Sequence, residues 1–281
     1  MFKLLPFLRL ITITLVIVAL ARPQISEARE LVTGEGIDMV LALDISSSMA
    51  SLDFMPKNKL QASKQVVHDF INDRRYDRIG LVVFAKSAFI QSPPTLDHGV
   101  LLRLVKELDV APNLNIKDGT AIGLGLANAA NMLKDSPADN KVIILLTDGV
   151  NNAGAIDPLT AASAVKALNI KLYTIGVGRT GLIPVVIQDP LLGEQIVYQE
   201  SELDEETLQH VADVTGGRYF RAMDTEGLRQ VYNEIDKLET SELDVFIYGK
   251  HTELLHWFLI PALILILSSL GLSNTYLRKI P

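Results

Sequence analysis

The residues best suited to chemistry in this sequence are oxygen-bearing side chains that follow an apolar run of strand length. Asp44 ends the run, and Ser46 and Ser48 follow it at alternate positions. In an extended segment, residues two apart point the same way, so these three side chains are expected to converge on one point. A carboxylate and two hydroxyls offer only oxygen, which suits a hard cation such as Mg²⁺. The alternative interpretation is a polar turn after a buried strand, with the serines as helix caps.

Those side chains need a scaffold, and the middle of the sequence alternates strands with amphipathic helices. The longer strands are apolar on both faces, as buried parallel strands require. The predicted strands are Ile37–Leu43, Ile79–Phe84, Val142–Leu146, Ile170–Ile175 and Arg218–Arg221. A short edge segment is expected at Ala88–Ile90, and a hairpin insertion near residues 184–199. This alternation predicts an α/β fold, a doubly wound, mostly parallel sheet with helices on both faces.

Two further oxygen-bearing turns are expected at the same edge of that sheet, because ligands bind beyond the carboxyl ends of parallel strands. One contains Thr120, at the start of a helix rich in small residues, and the other contains Asp148, directly after a long strand. Each has a simpler interpretation, since Thr120 is also suited to cap its helix and Asp148 to form a turn. The occurrence of all three turns at one predicted edge favours a shared site.

The composition of the chain excludes several classes of function. There are no cysteines, which rules out disulfides, thiolate metal sites and a cysteine nucleophile. The five histidines fall in no catalytic or metal-binding spacing, so we interpret them as structural. The net charge is −7, made up of −11 over residues 30–250 and +4 at the two ends. An acidic middle argues against binding to nucleic acid.

Both ends of the sequence are apolar and basic, which indicates a membrane. Residues 254–272 contain no acid or base except His256 and predict a C-terminal transmembrane helix. Residues 10–21 are apolar and follow Lys3 and Arg9, which fits a short membrane anchor or a cleaved signal peptide. We favour the anchor, and a buried core helix is a third interpretation. The basic ends are expected on the cytoplasmic side, which places the domain between them on the other side.

The predicted domain organisation has three parts. Residues 1–29 form an N-terminal membrane anchor or signal-like segment. Residues 30–250 form the α/β domain with its hairpin insertion, and residues 251–281 form the C-terminal transmembrane helix with a short basic tail.

The motif Asp44-x-Ser46-x-Ser48, followed by Thr120 and Asp148, resembles the metal-ion-dependent adhesion site (MIDAS) of a von Willebrand factor type A domain. The resemblance covers roughly residues 35–240 and includes the order of strands and helices. The flanking layout, with Ala21-Arg22-Pro23 after an apolar segment and a span at the end, resembles bacterial aerotolerance proteins of the BatA/BatB type. Members of that family often carry another span further upstream. The resemblance implies a location in the bacterial inner membrane, with the domain in the periplasm or outside the cell.

The resemblance also implies roles for these residues. In the family, the two serine hydroxyls bind Mg²⁺ directly, the threonine joins them in an open state, and the aspartates act directly or through water. Here the implied ligands are Asp44, Ser46, Ser48, Thr120 and Asp148, with Mn²⁺ or Ca²⁺ as alternative ions. One position is left for an acidic residue of a protein partner. Sibling Bat-type membrane proteins and a MoxR-type AAA+ ATPase are the implied partners, although a cytoplasmic ATPase cannot touch an exported domain directly.

Two hypotheses of different classes follow. The first is a membrane-anchored, metal-dependent protein-binding module without enzymatic activity. The second is a membrane-anchored, metal-dependent phosphohydrolase that uses Asp44 as the phosphoryl acceptor. The sequence lacks a second acid directly beside Asp44 and lacks a glycine-rich phosphate loop, because Gly123-Leu124-Gly125 lies inside a helical pattern with no lysine after it. We therefore favour the binding module.

Overall fold

The structure is a computed structural model that describes residues 4–33, 36–54, 56–189, 193–201, 203–239 and 244–275. The strands are β1 Gln24–Thr33, β2 Asp38–Asp44, β3 Arg78–Phe84, β4 Ala88–Thr95, β5 Lys141–Thr147, β6 Lys171–Val177, β7 Gly181–Asp189, β8 Gly193–Ser201, β9 Tyr219–Ala222 and β10 Asp244–Glu253. The helices are α1 Leu4–Leu20, α2 Lys59–Asp73, α3 His98–Glu107, α4 Ile122–Leu133, α5 Pro158–Ala167, α6 Glu205–Thr215, α7 Thr225–Leu238 and α8 Leu255–Thr275. The chain divides into two compact units, one of residues 34–242 and one of the segments 1–33 and 243–281.

A six-stranded sheet forms the centre of the first unit, in the order β4-β3-β2-β5-β6-β9. All neighbouring strands in it are parallel except β4, which runs antiparallel to β3 at one edge. Strand β2 lies between β3 and β5, and all seven of its residues are buried. The prediction of a mostly parallel α/β sheet is confirmed. The carboxyl end of β2, where the candidate site begins, therefore lies between the ends of two neighbouring strands.

The alternation of side chains along β2 explains why the sheet carries helices on both faces. Met39, Leu41 and Leu43 point into one apolar core, which also takes side chains from α2, α3 and α7. Val40 and Ala42 point into a second core, with side chains from α4, α5 and α6. Successive residues of a strand face opposite sides of the sheet, so a continuous apolar run requires a core on each side.

Short polar side chains start five of the helices of this unit. Each side-chain oxygen accepts a hydrogen bond from a backbone N–H of the first turn. These N–H groups have no hydrogen-bond acceptor within the helix itself, so the side chain supplies one. The capping residues are Asn58, Asp97, Asp157, Asp204 and Asp224. These caps fix where the helices begin and hence where the intervening loops lie.

Several strands differ from the sequence prediction. Strand β4 continues from Ala88 through Pro93 and Pro94 to Thr95, beyond the predicted end at Ile90. Proline is tolerated there because β4 is an edge strand whose pairing with β3 is irregular. The hairpin of β7 and β8 is also longer than predicted. Strand β1 has no counterpart in the prediction, and it pairs antiparallel with β10 from Gln24 to Thr33.

The second unit contains β1 and β10 together with α1 and α8, which pack against each other. Small or hydroxyl side chains are buried in these helices, including Thr12, Ala19, Ala262 and Ser269. Within the part of the chain that the structure describes, no helix combines the length and the apolar character that crossing a bilayer requires. The prediction of transmembrane helices at both ends is therefore not supported by the described residues.

Candidate metal centre

The candidate centre begins at Asp44, the last residue of β2, whose side chain is fully buried. Both of its carboxylate oxygens accept hydrogen bonds. The Ser46 backbone N–H donates to Oδ1 at 2.8 Å, and the Thr147 hydroxyl donates to Oδ2 at 2.6 Å. Thr147 is the last residue of the neighbouring strand β5. Asp44 therefore joins the ends of two adjacent strands and holds the loop that carries the serines.

The two predicted serines lie side by side in that loop. Ser46 Oγ and Ser48 Oγ are 3.0 Å apart, and Ser48 Oγ donates a hydrogen bond to Asp148 Oδ1 at 2.6 Å. Ser48 lies in a short 3₁₀ helix, Ser47–Ala50, which turns the chain directly after the strand. The hydrogen bonds thus connect four of the five predicted ligands into one cluster.

Thr120, the fifth predicted ligand, is buried and lies next to the Asp148 loop. A Cβ placed on Gly149 would lie 3.3 Å from Thr120 Oγ1, so the absence of a side chain at Gly149 leaves room for this hydroxyl. Asn152 holds the two loops together through two hydrogen bonds. Its side-chain Oδ1 accepts from the Thr120 backbone N–H at 2.8 Å, and its backbone N–H donates to the Thr120 carbonyl at 3.1 Å. The structure brings the three predicted turns together at one edge of the sheet.

Asp118 fixes the serine loop from the outside. It accepts a hydrogen bond from the Ser47 backbone N–H at 2.9 Å and a second from the Ser47 hydroxyl. Partial burial acts to raise the pKa of Asp118, but these hydrogen bonds and one from the Gly119 backbone outweigh it, so the pKa is lowered. Asp118 is thus held as a carboxylate that ties the Thr120 turn to the serine loop.

Lys59, the first residue of α2, adds a positive charge to the cluster. Its ammonium group is fully buried and lies 2.9 Å from Asp148 Oδ2 and 3.5 Å from Asp53 Oδ2. Asp53 also accepts hydrogen bonds from Ser51 Oγ at 2.7 Å and from the Arg179 backbone N–H at 3.1 Å. The second oxygen of Asp148 is therefore paired with a lysine from a helix that the ligand prediction does not include.

The electrostatics of the cluster are dominated by two buried carboxylates. Burial and the nearby charge of Asp148 raise the pKa of Asp44 to about 7, although hydrogen bonds from Ser46 and Thr147 act in the opposite direction. A pKa this high means that the negative charge of Asp44 is poorly compensated by the surrounding protein. A cation placed among these oxygens would compensate it.

The donor set fits a hard divalent cation. Its side chains supply carboxylate and hydroxyl oxygens from three loops, and the chain contains no cysteine that would favour a softer ion. In the described residues, no three His, Asp or Glu side chains are grouped so that they could hold a metal by themselves. The candidate centre would therefore combine the two carboxylates with the hydroxyls of Ser46, Ser48 and Thr120.

The sequence predicts five oxygen donors that the structure brings together, but sequence reasoning missed the buried ammonium group of Lys59 beside them. A signal for Lys59 was present in the helical pattern, because Lys59 lies in phase with the buried residues Ser63, Val66 and Phe70 of α2. A lysine on the buried stripe of a helix is unusual, and it usually has a paired partner. The role of Asp53 has no such signal, because its contacts depend on how distant loops meet.

The fold and this arrangement of loops define the class of protein. A family model for the von Willebrand factor type A domain matches residues 38–234, and the chain belongs to that family. Within the family it is of the BatB type, and it is similar to two crystal structures. One is an aerotolerance-related membrane protein from Bacteroides fragilis, which is 28% identical with a TM-score of 0.61. The match covers 72% of this chain and 100% of that protein's chain. The other is BatB from Bacteroides thetaiotaomicron, which is 27% identical with a TM-score of 0.61. That match covers 72% of this chain and 98% of the BatB chain.

Similar sequences include proteins without an assigned activity. An uncharacterised protein of Borreliella burgdorferi is 33% identical over 93% of this chain and 76% of its own length. A UPF0353 protein of Mycolicibacterium paratuberculosis is 28% identical over 71% of this chain, and the match spans 59% of that relative. The fold is also shared with proximal thread matrix protein 1 of the mussel byssus, solved with a zinc-occupied MIDAS motif, at 21% identity and a TM-score of 0.57.

Proposed function

We propose that this chain is a metal-ion-dependent protein-binding module whose ion is held by Asp44, Ser46, Ser48, Thr120 and Asp148. The observation that carries the proposal is the hydrogen-bonded path from Ser46 through Ser48 to Asp148, beside the buried carboxylate of Asp44. Mg²⁺ is the proposed ion, because the donors are hard oxygens and few of them are charged. Mn²⁺ and Ca²⁺ are the alternatives.

The proposed ligand of the centre is an acidic side chain of a partner protein. When bound, a divalent cation supplies a positive charge with a coordination position open to such a carboxylate. Ser46, Ser48 and Thr120 contribute neutral oxygens, which leave more of that charge to attract the partner than carboxylates would. Sibling Bat-type membrane proteins are the proposed partners, in keeping with the similarity to aerotolerance-related neighbours. A MoxR-type AAA+ ATPase stays a partner implied by the family resemblance alone.

The geometry of Asp44 disfavours the phosphohydrolase alternative. A carboxylate that accepts a phosphoryl group must present one oxygen to the substrate. Asp44 is fully buried, and both of its oxygens accept hydrogen bonds, from the Ser46 backbone N–H and the Thr147 hydroxyl. Its position suits a carboxylate that fixes the serine loop and holds the ion directly or through water, and we therefore propose a binding module without enzymatic activity.

We further propose that the chain is held at the bacterial inner membrane by its terminal segments, 1–29 and 251–281, with the domain of residues 30–250 on the periplasmic or outer side. Large apolar side chains are exposed on both terminal helices, among them Phe7 and Ile17 of α1 and Trp257 and Leu267 of α8. A similar structure is described as a membrane protein. Protease treatment of intact and permeabilised cells tests the orientation, and cleavage of the domain only after the inner membrane is breached would contradict it.

The metal-binding proposal is tested by thermal unfolding of the full chain in EDTA and in increasing Mg²⁺. An ion that binds only the folded state stabilises it by about 2.7 kcal/mol at 100 times its dissociation constant. For a domain of this size, such a stabilisation raises Tm by roughly 5–10 °C. In the double variant Ser46→Ala/Ser48→Ala the rise is expected to disappear, because two of the three neutral donors are lost.

The matched control replaces two exposed serines outside the cluster, Ser87 and Ser163, with alanine. This variant should retain the full rise of Tm with Mg²⁺. Parallel titrations with Mn²⁺ and Ca²⁺ identify the preferred ion. The proposal is wrong if none of the three ions stabilises the parent chain, or if the Ser46→Ala/Ser48→Ala variant responds as strongly as the parent.

A further inference from the structure

Lys59 is the only described lysine whose ammonium group is fully buried in an ion pair with a predicted metal ligand. Its Nζ donates a hydrogen bond to Asp148 Oδ2 at 2.9 Å, while Ser48 Oγ donates to the other oxygen of the same carboxylate, Oδ1, at 2.6 Å. A buried charge is retained only where it is paired, so the pair with Asp148 is a built feature of the fold. The carboxylate of Asp148 is thus shared, because Lys59 contacts Oδ2 and Ser48 of the candidate ion centre contacts Oδ1.

The surrounding residues hold the lysine in this place from several elements. A Cβ on Gly178, just after β6, would lie 2.5 Å from Lys59 Cε and 2.7 Å from Nζ, so a side chain there would occupy the path of the lysine. Gly178 also has a φ of +110°, which L side chains rarely adopt. The Lys59 backbone N–H donates to the Ser51 carbonyl at 3.2 Å, and Asp53 lies 3.5 Å from the ammonium. The ammonium group is therefore confined beside Asp148 by packing and by charge.

We propose that Lys59 is a positioning residue of the metal centre, which holds Asp148 by Oδ2 and lowers the affinity of the centre for a divalent cation. This inference rests on the proposed function, since it concerns the same ion. With Oδ2 taken by the lysine, Asp148 offers the centre one oxygen, Oδ1, and part of its negative charge is already compensated. The positive charge of Lys59 also repels a divalent ion bound nearby.

The proposal gives Asp53 a role as well. Asp53 shares the ammonium group with Asp148, so it draws part of the positive charge away from the metal ligand. Neutralising Asp53 leaves Lys59 to act on Asp148 alone. The two residues are therefore expected to change metal affinity in opposite directions, which distinguishes this role from a merely structural one, because damage to the site lowers affinity in every case.

The experiment measures Mg²⁺ binding to the full chain by isothermal titration for the parent, Lys59→Met, Asp53→Asn and the control Lys134→Met. Methionine keeps the length and apolar character of the lysine stem but removes its charge. We expect Lys59→Met to bind Mg²⁺ about tenfold or more tightly than the parent, and Asp53→Asn to bind it several-fold more weakly. Lys134 is exposed after α4, and its replacement should leave affinity unchanged.

The same titrations separate this proposal from the proposed function. If the parent binds Mg²⁺ and Lys59→Met binds it equally or more weakly, the role of Lys59 is wrong and the metal centre stands. If Lys59→Met binds the ion and the parent does not, the role of Lys59 stands and the proposed function of the parent is wrong. If neither binds it, both are wrong. Should Lys59→Met fail to fold, unchanged or tighter binding in Asp53→Asn overturns the proposal.

Discussion

At the scale of single residues, the candidate centre depends on how the oxygens of two buried aspartates are shared. Asp44 gives both oxygens to hydrogen bonds within the protein, from the Ser46 backbone and the Thr147 side chain. Asp148 gives one oxygen to Ser48 and the other to Lys59. Asp44 therefore contributes its charge and fixes the loop, while Asp148 links the serines to the buried lysine.

The raised pKa of Asp44 predicts a dependence of stability on pH in the absence of divalent ions. A carboxyl group whose pKa is about 7 in the folded state, above its value in the unfolded chain, binds a proton more tightly when folded. Its stabilising contribution is complete below the pKa of the unfolded chain, about 4, and is lost as pH rises through about 7. In EDTA, the free energy of unfolding from urea titrations should therefore be lower at pH 8 than at pH 5.

The variant Asp44→Asn provides the comparison for this prediction. Its amide does not titrate, so the part of the pH dependence that comes from Asp44 should vanish. An identical change in unfolding free energy between pH 5 and pH 8 in the parent and in Asp44→Asn would show that Asp44 is not the group responsible.

At the scale of elements, the glycines of α4 allow the helix to pack closely, and they explain a motif that resembles part of a phosphate loop. A Cβ on Gly123 would lie 2.0 Å from the Ile156 carbonyl oxygen, and one on Gly125 would lie 2.8 Å from the ring of Phe84. Both glycines lie inside α4 and are buried. Because neither glycine has a side chain, α4 can pack closely against β3 and against the loop that precedes α5. This packing places the Thr120 turn beside the serine loop.

We expect Gly123→Ala to destabilise the domain by about 1–3 kcal/mol, because the added methyl group meets a backbone carbonyl that cannot move alone. Gly99→Ala in α3 is the control, since its Cβ would lie 3.4 Å from Asp97 Oδ1, an ordinary contact, and alanine favours a helix. Urea unfolding compares both variants with the parent. Equal stabilities of the Gly123 and Gly99 variants would contradict the close packing.

A second element-scale prediction concerns Arg74, which is buried where α2 ends. Its guanidinium contacts Asp77 at 2.7 Å and Asp236 of α7 at 2.9 Å, and it lies 4.8 Å above the ring of Phe70. Asp77 also accepts a hydrogen bond from the backbone N–H of Ile37 at 2.9 Å, so it ties the residue just before β2 to the same cluster. Removing the arginine leaves a buried carboxylate without its counter-charge.

We therefore expect Arg74→Ala to cost about 3–5 kcal/mol of unfolding free energy. Arg229→Ala removes a half-buried arginine whose partners Glu226 and Asp69 are both exposed, and its cost should stay below about 1 kcal/mol. Urea unfolding at neutral pH measures both values. A cost for Arg74→Ala as small as that for Arg229→Ala would mean that the cluster does not stabilise the domain.

Some elements of the fold and of the candidate site can be predicted from the sequence, and others cannot. Strands such as β2 and β5 are predictable because they are continuous apolar runs, and the five oxygen donors are predictable because parallel strands end at one edge. Strand β1 was missed because its pairing partner, β10, lies more than 200 residues later in the chain. The contact between Lys59 and Asp148 depends on the path of a buried side chain past Gly178, which local sequence patterns do not encode.

At the scale of the whole molecule, the unit of residues 34–242 contains both apolar cores and all five proposed ligands. A segment with its own core is expected to fold independently of the rest of the chain. We therefore expect a fragment of residues 34–242 to unfold in one cooperative transition and to respond to Mg²⁺ as the full chain does. Calorimetry of the two proteins checks this, and a fragment without a cooperative transition at any Mg²⁺ concentration would contradict it.

The two margins of the central sheet have a consequence for how this protein behaves when many copies are close together. At one margin, β4 contains Pro93 and Pro94, which offer no backbone N–H to an approaching chain. At the other, β9 is only four residues long. Both features disfavour the addition of a foreign strand, so we expect the domain to resist polymerisation through this sheet. Crowded copies are therefore expected to stay separate at these two margins.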